Sequence, residues 1–376
     1  DAAIAVQDPP QGTGDAVRAA LPALKGAGGV VCVLYADTPL VRPETVGRLA
    51  ALCAEGAAVA VLGFRPEDPG AYGRLVMGDE RGLDAIVEAK EATPEQLAIG
   101  FCNSGVMAFR AEALFELLPR VGCDNAKGEY YLTDMVALAR AAGLACAALE
   151  ADADEVLGVN SKAELAAAEA AFQARARSAA MAAGAILIDP QTVYFSADTK
   201  LGRDVRVEPH VVFGPGVSVA DGAEIRAFSH LEGAHVATGA SVGPYARLRP
   251  GAEIGAGARI GNFVEIKKAE IAEGAKVNHL SYVGDASVGA AANIGAGVIT
   301  CNYDGVRKHR TEIGAGAFIG SNSALVAPVA IGEDAYVGSG SVITKDVPTG
   351  VLALTRAPLK IVKGWVAAFK RKAAGE

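Results

Sequence analysis

The sequence predicts two folds in one chain: an α/β region first, then an all-β parallel β-solenoid, with a helix between them. Three observations predict it. Apolar residues return every sixth position in two unbroken runs: Val242, Leu248, Ile254, Ile260 and Ile266, then Ile313, Ile319, Leu325, Ile331, Val337 and Ile343. Short apolar runs alternate with helix-like stretches up to about residue 160, and an Ala-rich segment with a capping signature divides the two patterns. A period of six matches neither the 3.6 of a helix nor the 2 of an ordinary strand. It suits a triangular coil with three six-residue faces and one inward apolar residue on each. Gly and other small residues take the corners, where crowding or a positive φ penalises a side chain. Roughly 24 hexads give about eight coils and a continuous stacked core.

The chain has 376 residues, enough for two domains, and a net charge of −8, which argues against nucleic acid as a bulk electrostatic partner. The C-terminal end is a local exception, with Lys360, Lys363, Lys370, Arg371 and Lys372. That tail is either a solvated end or a contact for an anionic ligand. No run of 18 apolar residues is present, so no membrane span is expected. No signal peptide is visible, and the chain starts at an Asp instead of a Met, which leaves room for a longer natural N-terminus. The six cysteines (Cys32, Cys53, Cys102, Cys123, Cys146 and Cys301) lack C-x-x-C spacing, so they read as buried small hydrophobes in a reducing cytoplasm, with no zinc site.

Within residues 1–160, Gln11-Gly12-Thr13-Gly14-Asp15-Ala16 is a Gly-rich turn opening a helix, suited to contact with an anion or a base. The run from Gly29 to Tyr35 reads as a buried parallel strand, followed by a helix from about Pro43 to Ala54. Ligands of open α/β sheets sit at strand C-terminal ends, which is where Asp37 stands. It either offers a metal-binding carboxylate or turns the chain before Pro39. Further motifs are Tyr72-Gly73-Arg74-Leu75, Ile86-Val87-Glu88, Asn103-Ser104-Gly105, the segment Gly128–Asp134 and Gly158-Val159-Asn160.

Residues 161–183 read as a linker helix roughly 35 Å long, started by the capping box Ser161-Lys162-Ala163-Glu164 and ended before Gly184. A spacer is its simplest role. Residues 184–376 hold the solenoid. Its early hexads (Leu201, Val207, Phe213, Val219, Ile225, Leu231) precede a one-residue slip before Val236, and a second slip falls near Ile271. Between Ile294 and Ile313 the polar, basic segment Cys301–Arg310 should loop out of the coil, and such loops are more often functional than regular coils. Arg249 and Lys267 are one coil apart and so share a corner, where they are either solvated charges or a phosphate clamp. His279 lies in Asn278-His279-Leu280-Ser281-Tyr282; it is either structural or a proton acceptor near neutrality.

In this order the N-terminal motifs resemble those of the sugar-nucleotide pyrophosphorylases. The strings Tyr245–Pro250, Gly261–Lys268 and Ile299–Gly305 resemble the acetyltransferase half of the bifunctional N-acetylglucosamine-1-phosphate uridylyltransferase/glucosamine-1-phosphate acetyltransferases. The resemblance implies a Rossmann-like nucleotidyltransferase domain and a left-handed parallel β-helix. By it, Gln7, Gly12 and Thr13 hold the uracil, Tyr35 lines the nucleotide site, and Gly73, Glu88 and Asn103 hold the sugar. Asp37 and Asn160 bind Mg²⁺. Arg249, Lys267, Tyr282, Asn293 and Lys308 bind the amino-sugar phosphate, and His279 is the base. Ala296, Asn302, Tyr303, Ser321, Ser339 and Arg356 contact acetyl-CoA. It also implies a homotrimer with active sites between subunits and a C-terminal tail closing the CoA site. The family's triphosphate-gripping loop would precede residue 1, so uridylyl transfer is not expected of the chain as it stands. The rival reading is a pyrophosphorylase whose solenoid only oligomerises or regulates; that module needs the hexads but not the basic corner, the histidine or the loop.

Overall fold

The first part of the chain folds around a six-stranded mixed sheet. Its strands are β1 (Val30–Val33), β2 (Val59–Phe64), β3 (Arg74–Met77), β4 (Leu83–Val87), β5 (Cys102–Arg110) and β6 (Cys146–Glu150). The order is β4-β3-β5-β2-β6, with β1 also on β5. Every residue of β2 is buried, as befits a strand flanked by β5 and β6. Helices α1 (Thr13–Ala20), α2 (Pro43–Ala54), α3 (Pro94–Leu97), α4 (Ala111–Leu117) and α5 (Asp134–Ala141) join these strands. α2 starts at the expected proline, whose missing N–H costs nothing in a first turn. The computed structural model describes residues 2–78, 82–125 and 127–374 and divides into two units, Asp1–Phe172 and Gln173–Glu376.

Two expectations are corrected here. β1 is half-buried and antiparallel to β5, not a buried parallel strand. It has a single partner strand among the described residues, and four consecutive apolar residues do not encode strand direction. The cysteines are also less uniformly buried than expected: Cys53, Cys102 and Cys146 are buried, Cys32 and Cys301 half-buried, and Cys123 exposed. Burial pushes the Cys53 and Cys146 thiols up to about 11, which keeps them protonated and unreactive.

Helix α6 spans Lys162–Ala182. The Ser161 hydroxyl caps the Glu164 N–H, and the Glu164 carboxylate accepts from the Asn160 N–H, one residue earlier than a standard capping box. Within the second unit this helix has a role that the sequence analysis did not assign. The buried Gln173 amide donates to the Phe195 carbonyl at 2.7 Å and accepts the Phe195 N–H at 2.9 Å. Buried Arg177 donates to the Val193 carbonyl at 2.9 Å. Ala176 and Ala180 pack against the core beside them. The helix thus seals the first coil, whose backbone groups and apolar core have no preceding coil to cover them.

The solenoid has three faces of parallel two- to seven-residue strands. Lys200 pairs with Ser218, 18 residues on, and Ser218 with His235, 17 on, so the shorter coil absorbs the first phase slip. Every aliphatic residue of the two unbroken hexad runs is buried. Each such side chain contributes about 1.5–3 kcal/mol of burial. The excursion is confirmed: Ile299 pairs with Ala324, 25 residues on, where 18 would complete a coil. Thr300 fills the inward position between Ile294 and the loop, its hydroxyl accepting from the Gly284 N–H at 2.8 Å. The hexad pattern therefore continues through a polar residue, which is why the sequence shows a gap there.

Corner chemistry follows crowding more than φ. A Cβ on Gly261 would lie 1.9 Å from the Asn278 carbonyl oxygen, so only glycine lets these coils approach. Several left-handed corners instead carry bulky residues. His210, Phe228, Tyr245 and Phe263 all have φ between 55° and 60° and stack as an exposed ladder with centroids 4.8 to 5.1 Å apart. After the last coil, helix α7 (Trp365–Ala373) is exposed throughout, with Trp365 stacked on Phe369.

Candidate functional site

Strand register builds the solenoid site. Leu248 pairs with Ile266, and the Arg249 N–H donates to the Ile266 carbonyl at 2.9 Å, so Arg249 and Lys267 share a corner as their spacing predicts. The two cations are in different states. Arg249 donates to Glu265 at 2.8 Å, which holds its guanidinium charged. The Lys267 ammonium is pushed below its ordinary value, first by contact with Lys308, then by lost solvation, with Arg249 adding and Asp285 opposing. Three cations thus converge at one corner with one carboxylate partner beside Arg249 and another near Lys267.

Tyr282 and Asn302 join this cluster. A Cβ on Gly284 would lie 2.4 Å from the Tyr282 hydroxyl oxygen, so the Tyr282 side chain reaches the corner of the cations. The Asn302 amide donates to the Asp285 carboxylate at 2.5 Å and to the Tyr282 hydroxyl at 3.4 Å. Asn302 is buried at the base of the excursion, whereas Tyr303 is exposed and closes onto the Gly305 carbonyl. Asp304 shapes the loop tip: its carboxylate accepts from the Val306 and Arg307 N–H groups and meets His309 Nε2 at 2.7 Å. These bonds hold its pKa down at about 2, the Arg307 N–H contributing most.

A second column runs up the corner at the other side of the Tyr282 face. Asn262 pairs with His279, Val277 with Ile294, Ile294 with Ile319 and Ile319 with Val337. Each column member stands two residues past such an inward aliphatic, so Asn262, His279, Ala296, Ser321 and Ser339 line up coil upon coil. Corner hydrogen bonds repeat the pattern, from Leu280 N–H to Asn262, Gly297 N–H to His279, Asn322 N–H to Ala296 and Gly340 N–H to Ser321. Arg356 flanks the column's end: a Cβ on Gly338 would lie 3.6 Å from its guanidinium. His279 Nδ1 lies 2.8 Å from Asn262 Oδ1, its side-chain partner among the described residues. Asn293, between Lys276 and Phe318 in register, stands on the face before this corner and away from the cations.

In the first unit, Thr13, Tyr35, Asp37 and Glu88 gather. Burial raises the Tyr35 hydroxyl, the Asp37 and Glu88 carboxylates add to this, and Thr13 opposes it. The Glu88 carboxyl is itself raised, by burial first and then by Glu91 and Asp134. The Thr13 hydroxyl also accepts the Leu132 N–H at 3.0 Å. Gly12 has φ 107°, and a Cβ there would meet the Tyr130 carbonyl at 2.6 Å, so the turn needs glycine. The Gln7 amide is engaged by its own chain, donating to the Gly12 carbonyl and to Asp15. Gly73 accepts the Asn103 N–H at 2.8 Å, and a Cβ on it would lie 3.6 Å from the Glu88 carboxylate, which joins the three sugar candidates. The Val159 N–H donates to the Asp37 carbonyl at 2.8 Å, which brings exposed Asn160 beside exposed Asp37. One carboxylate and one amide oxygen suit a hard cation that keeps its waters and a phosphate. Among the described residues, no group of three or more His, Cys, Asp or Glu side chains gathers as a metal site.

Sequence reasoning missed Glu265, Asp285 and Asn262. Asn262 was within reach, because it precedes His279 by one short coil once the slip near Ile271 is counted.

Residues 2–98 match the MobA-like NTP transferase domain, and residues 310–345 match the bacterial transferase hexapeptide (six repeats). The chain is 62% identical over 371 residues to the "Bifunctional protein GlmU" of Azorhizobium caulinodans, covering 98% of this chain and 82% of that protein. It is 61% identical to the protein of that name from Xanthobacter autotrophicus, with the same coverage. The Hyphomonas neptunium protein is 58% identical, covering 100% of this chain and 82% of its own length.

Proposed function

The chain belongs to the family of bifunctional GlmU proteins, and from that premise we propose how its residues share the work. The enzyme transfers acetyl from acetyl-CoA to glucosamine 1-phosphate and, in the full-length protein, uridylyl from UTP to N-acetylglucosamine 1-phosphate, giving UDP-N-acetylglucosamine for the cell envelope. The rival reading of the solenoid as a mere oligomerisation module is not favoured by this membership.

One observation carries the residue assignment for acetyl transfer: the column holding His279 faces the cation corner across a single solenoid face, bridged by Tyr282. Arg249, Lys267 and Lys308 bind the sugar phosphate beside Tyr282, and Asn293, on the face before the His279 corner, meets the sugar from that other side. The cluster repels itself, so a dianion placed there relieves that repulsion as well as making its own bonds. Acetyl-CoA lies along Ala296, Ser321 and Ser339 toward Arg356, with Asn302 and Tyr303 at its side. His279 takes a proton from the amine as the nitrogen attacks the thioester carbonyl. The new C–N bond forms, the C–S bond breaks, and the thiol of CoA leaves with a proton. Remote phosphate binding orients the amine for that attack.

For uridylyl transfer, Gln7, Gly12, Thr13 and Tyr35 form the nucleotide side and Gly73, Glu88 and Asn103 the sugar side. Asp37 and Asn160 would hold Mg²⁺, which would supply positive charge beside the phosphates. The assembly is a homotrimer in the cytoplasm, a reading supported by the family likeness; among the described residues no helix is long and apolar enough to cross a membrane.

The deciding experiment is His279→Ala, assayed by release of the CoA thiol. Turnover should fall by roughly 10²–10⁴ with the fold intact. Turnover equal to the unsubstituted enzyme removes His279 from the mechanism.

A further inference from the structure

We propose that Asn262 is the positioning residue for His279, fixing the imidazole as the tautomer whose Nε2 is free to accept the amine proton. The inference deepens the reading of His279 as base and rests on it. A neutral imidazole carries its proton on one nitrogen only, and the partner of the other nitrogen decides which. Here Asn262 Oδ1 sits 2.8 Å from Nδ1, so Nδ1–H donates to it and the lone pair falls on Nε2.

The backbone builds this contact with little freedom. Asn262 and His279 are register partners at the ends of consecutive strands on one face. Gly261 allows the close approach of the Asn278 carbonyl just before them. Beyond them both chains turn through left-handed corner residues, Phe263 at φ 56° and Leu280 at φ 51°. The Leu280 N–H then donates to the Asn262 carbonyl at 3.0 Å, locking the pair on both sides.

The choice of an amide has a chemical consequence. A carboxylate at this position would favour the imidazolium, whose Nε2 already bears a proton and cannot accept another. An amide orients the ring without charging it. Among the described residues the His279 ring touches no ionised side chain. The titratable groups nearest in register are Lys276 on its own strand, Arg259 on that of Asn262, and past the corner Tyr282 with its register partner Glu265, which is paired to Arg249.

The test uses the full chain and three variants, with acetyl transfer followed as CoA thiol release. Asn262→Ala should lower kcat roughly 10–100-fold while KM for either substrate changes less than about twofold. Asn262→Asp keeps the hydrogen bond and the shape, so it should retain turnover at alkaline pH. Its acidic limb of log kcat against pH should move upward by about one unit or more. A merely structural asparagine would instead lower thermal stability or raise KM and leave that limb in place. His279→Ala separates the two claims. If it is active, the base is wrong; if it is inactive while both Asn262 variants match the unsubstituted enzyme in kcat and pH limb, only the positioning role is overturned. Loss confined to KM, or an unmoved limb in Asn262→Asp, also overturns it.

Discussion

At the scale of the residue, the same chemistry reads differently once neighbours are known. Arg249 and Lys267 look equivalent in sequence, being a coil apart at one corner. In the fold Arg249 is neutralised by Glu265, while Lys267 is pressed by Lys308. Removing the Lys267 charge should therefore have two opposite effects. Lys267→Met should raise KM for glucosamine 1-phosphate roughly tenfold and leave that for acetyl-CoA unchanged. It should also raise Tm of the ligand-free protein by about 1–3 °C, because a like-charge contact is relieved. A lowered Tm with unchanged KM would place Lys267 outside the phosphate site. A double variant with Arg249→Ala should be non-additive in KM if both hold one phosphate. The lysine contact was not legible in sequence, because Lys308 arrives from an excursion whose path no periodicity describes.

Among elements, the excursion is the informative one. Its position and polarity were legible, since Cys301–Arg310 offers no aliphatic hexad. Its inner anchor was not, because Thr300 occupies the core position with a hydroxyl that satisfies Gly284. Thr300→Val keeps the shape but strands that N–H, and should destabilise the protein by about 1–3 kcal/mol, read from the denaturation midpoint. The loop tip depends on Asp304, whose carboxyl titrates at about 2 in the folded protein against ~3.9 in an unfolded chain. A lowered folded pKa means that its contribution is full above about pH 4 and is lost as pH falls toward 2. Hydrogen exchange at Val306 and Arg307, corrected for intrinsic rates, should lose protection across that window. In Asp304→Asn the same amides should show no such step. The helix α6 teaches the converse lesson: its capping serine, glutamate and alanines announced a helix, but Gln173 and Arg177 look solvent-facing in sequence and are buried against carbonyls of the first coil.

For the molecule as a whole, the solenoid was legible because its core is one-dimensional. Each inward aliphatic meets only those of its own coil and of the coils directly above and below, so period six alone names the buried set. The first unit was less so, because a sheet in which β1 and β5 run antiparallel while β2 and β6 run parallel depends on connections that local patterns do not encode. Parallel coils in register, sealed by α6 at one end and, among the described residues, uncovered at the other, also have a mechanical consequence. A single chain pulled from its C-terminus in an optical trap should unwind from the free end, coil by coil. An ordinary coil of 17 or 18 residues releases about 60 Å of contour, and the one carrying the excursion about 85 Å. The force trace would then be a ruler with one long division, and that division marks the coil whose excursion brings Lys308 to the cation corner.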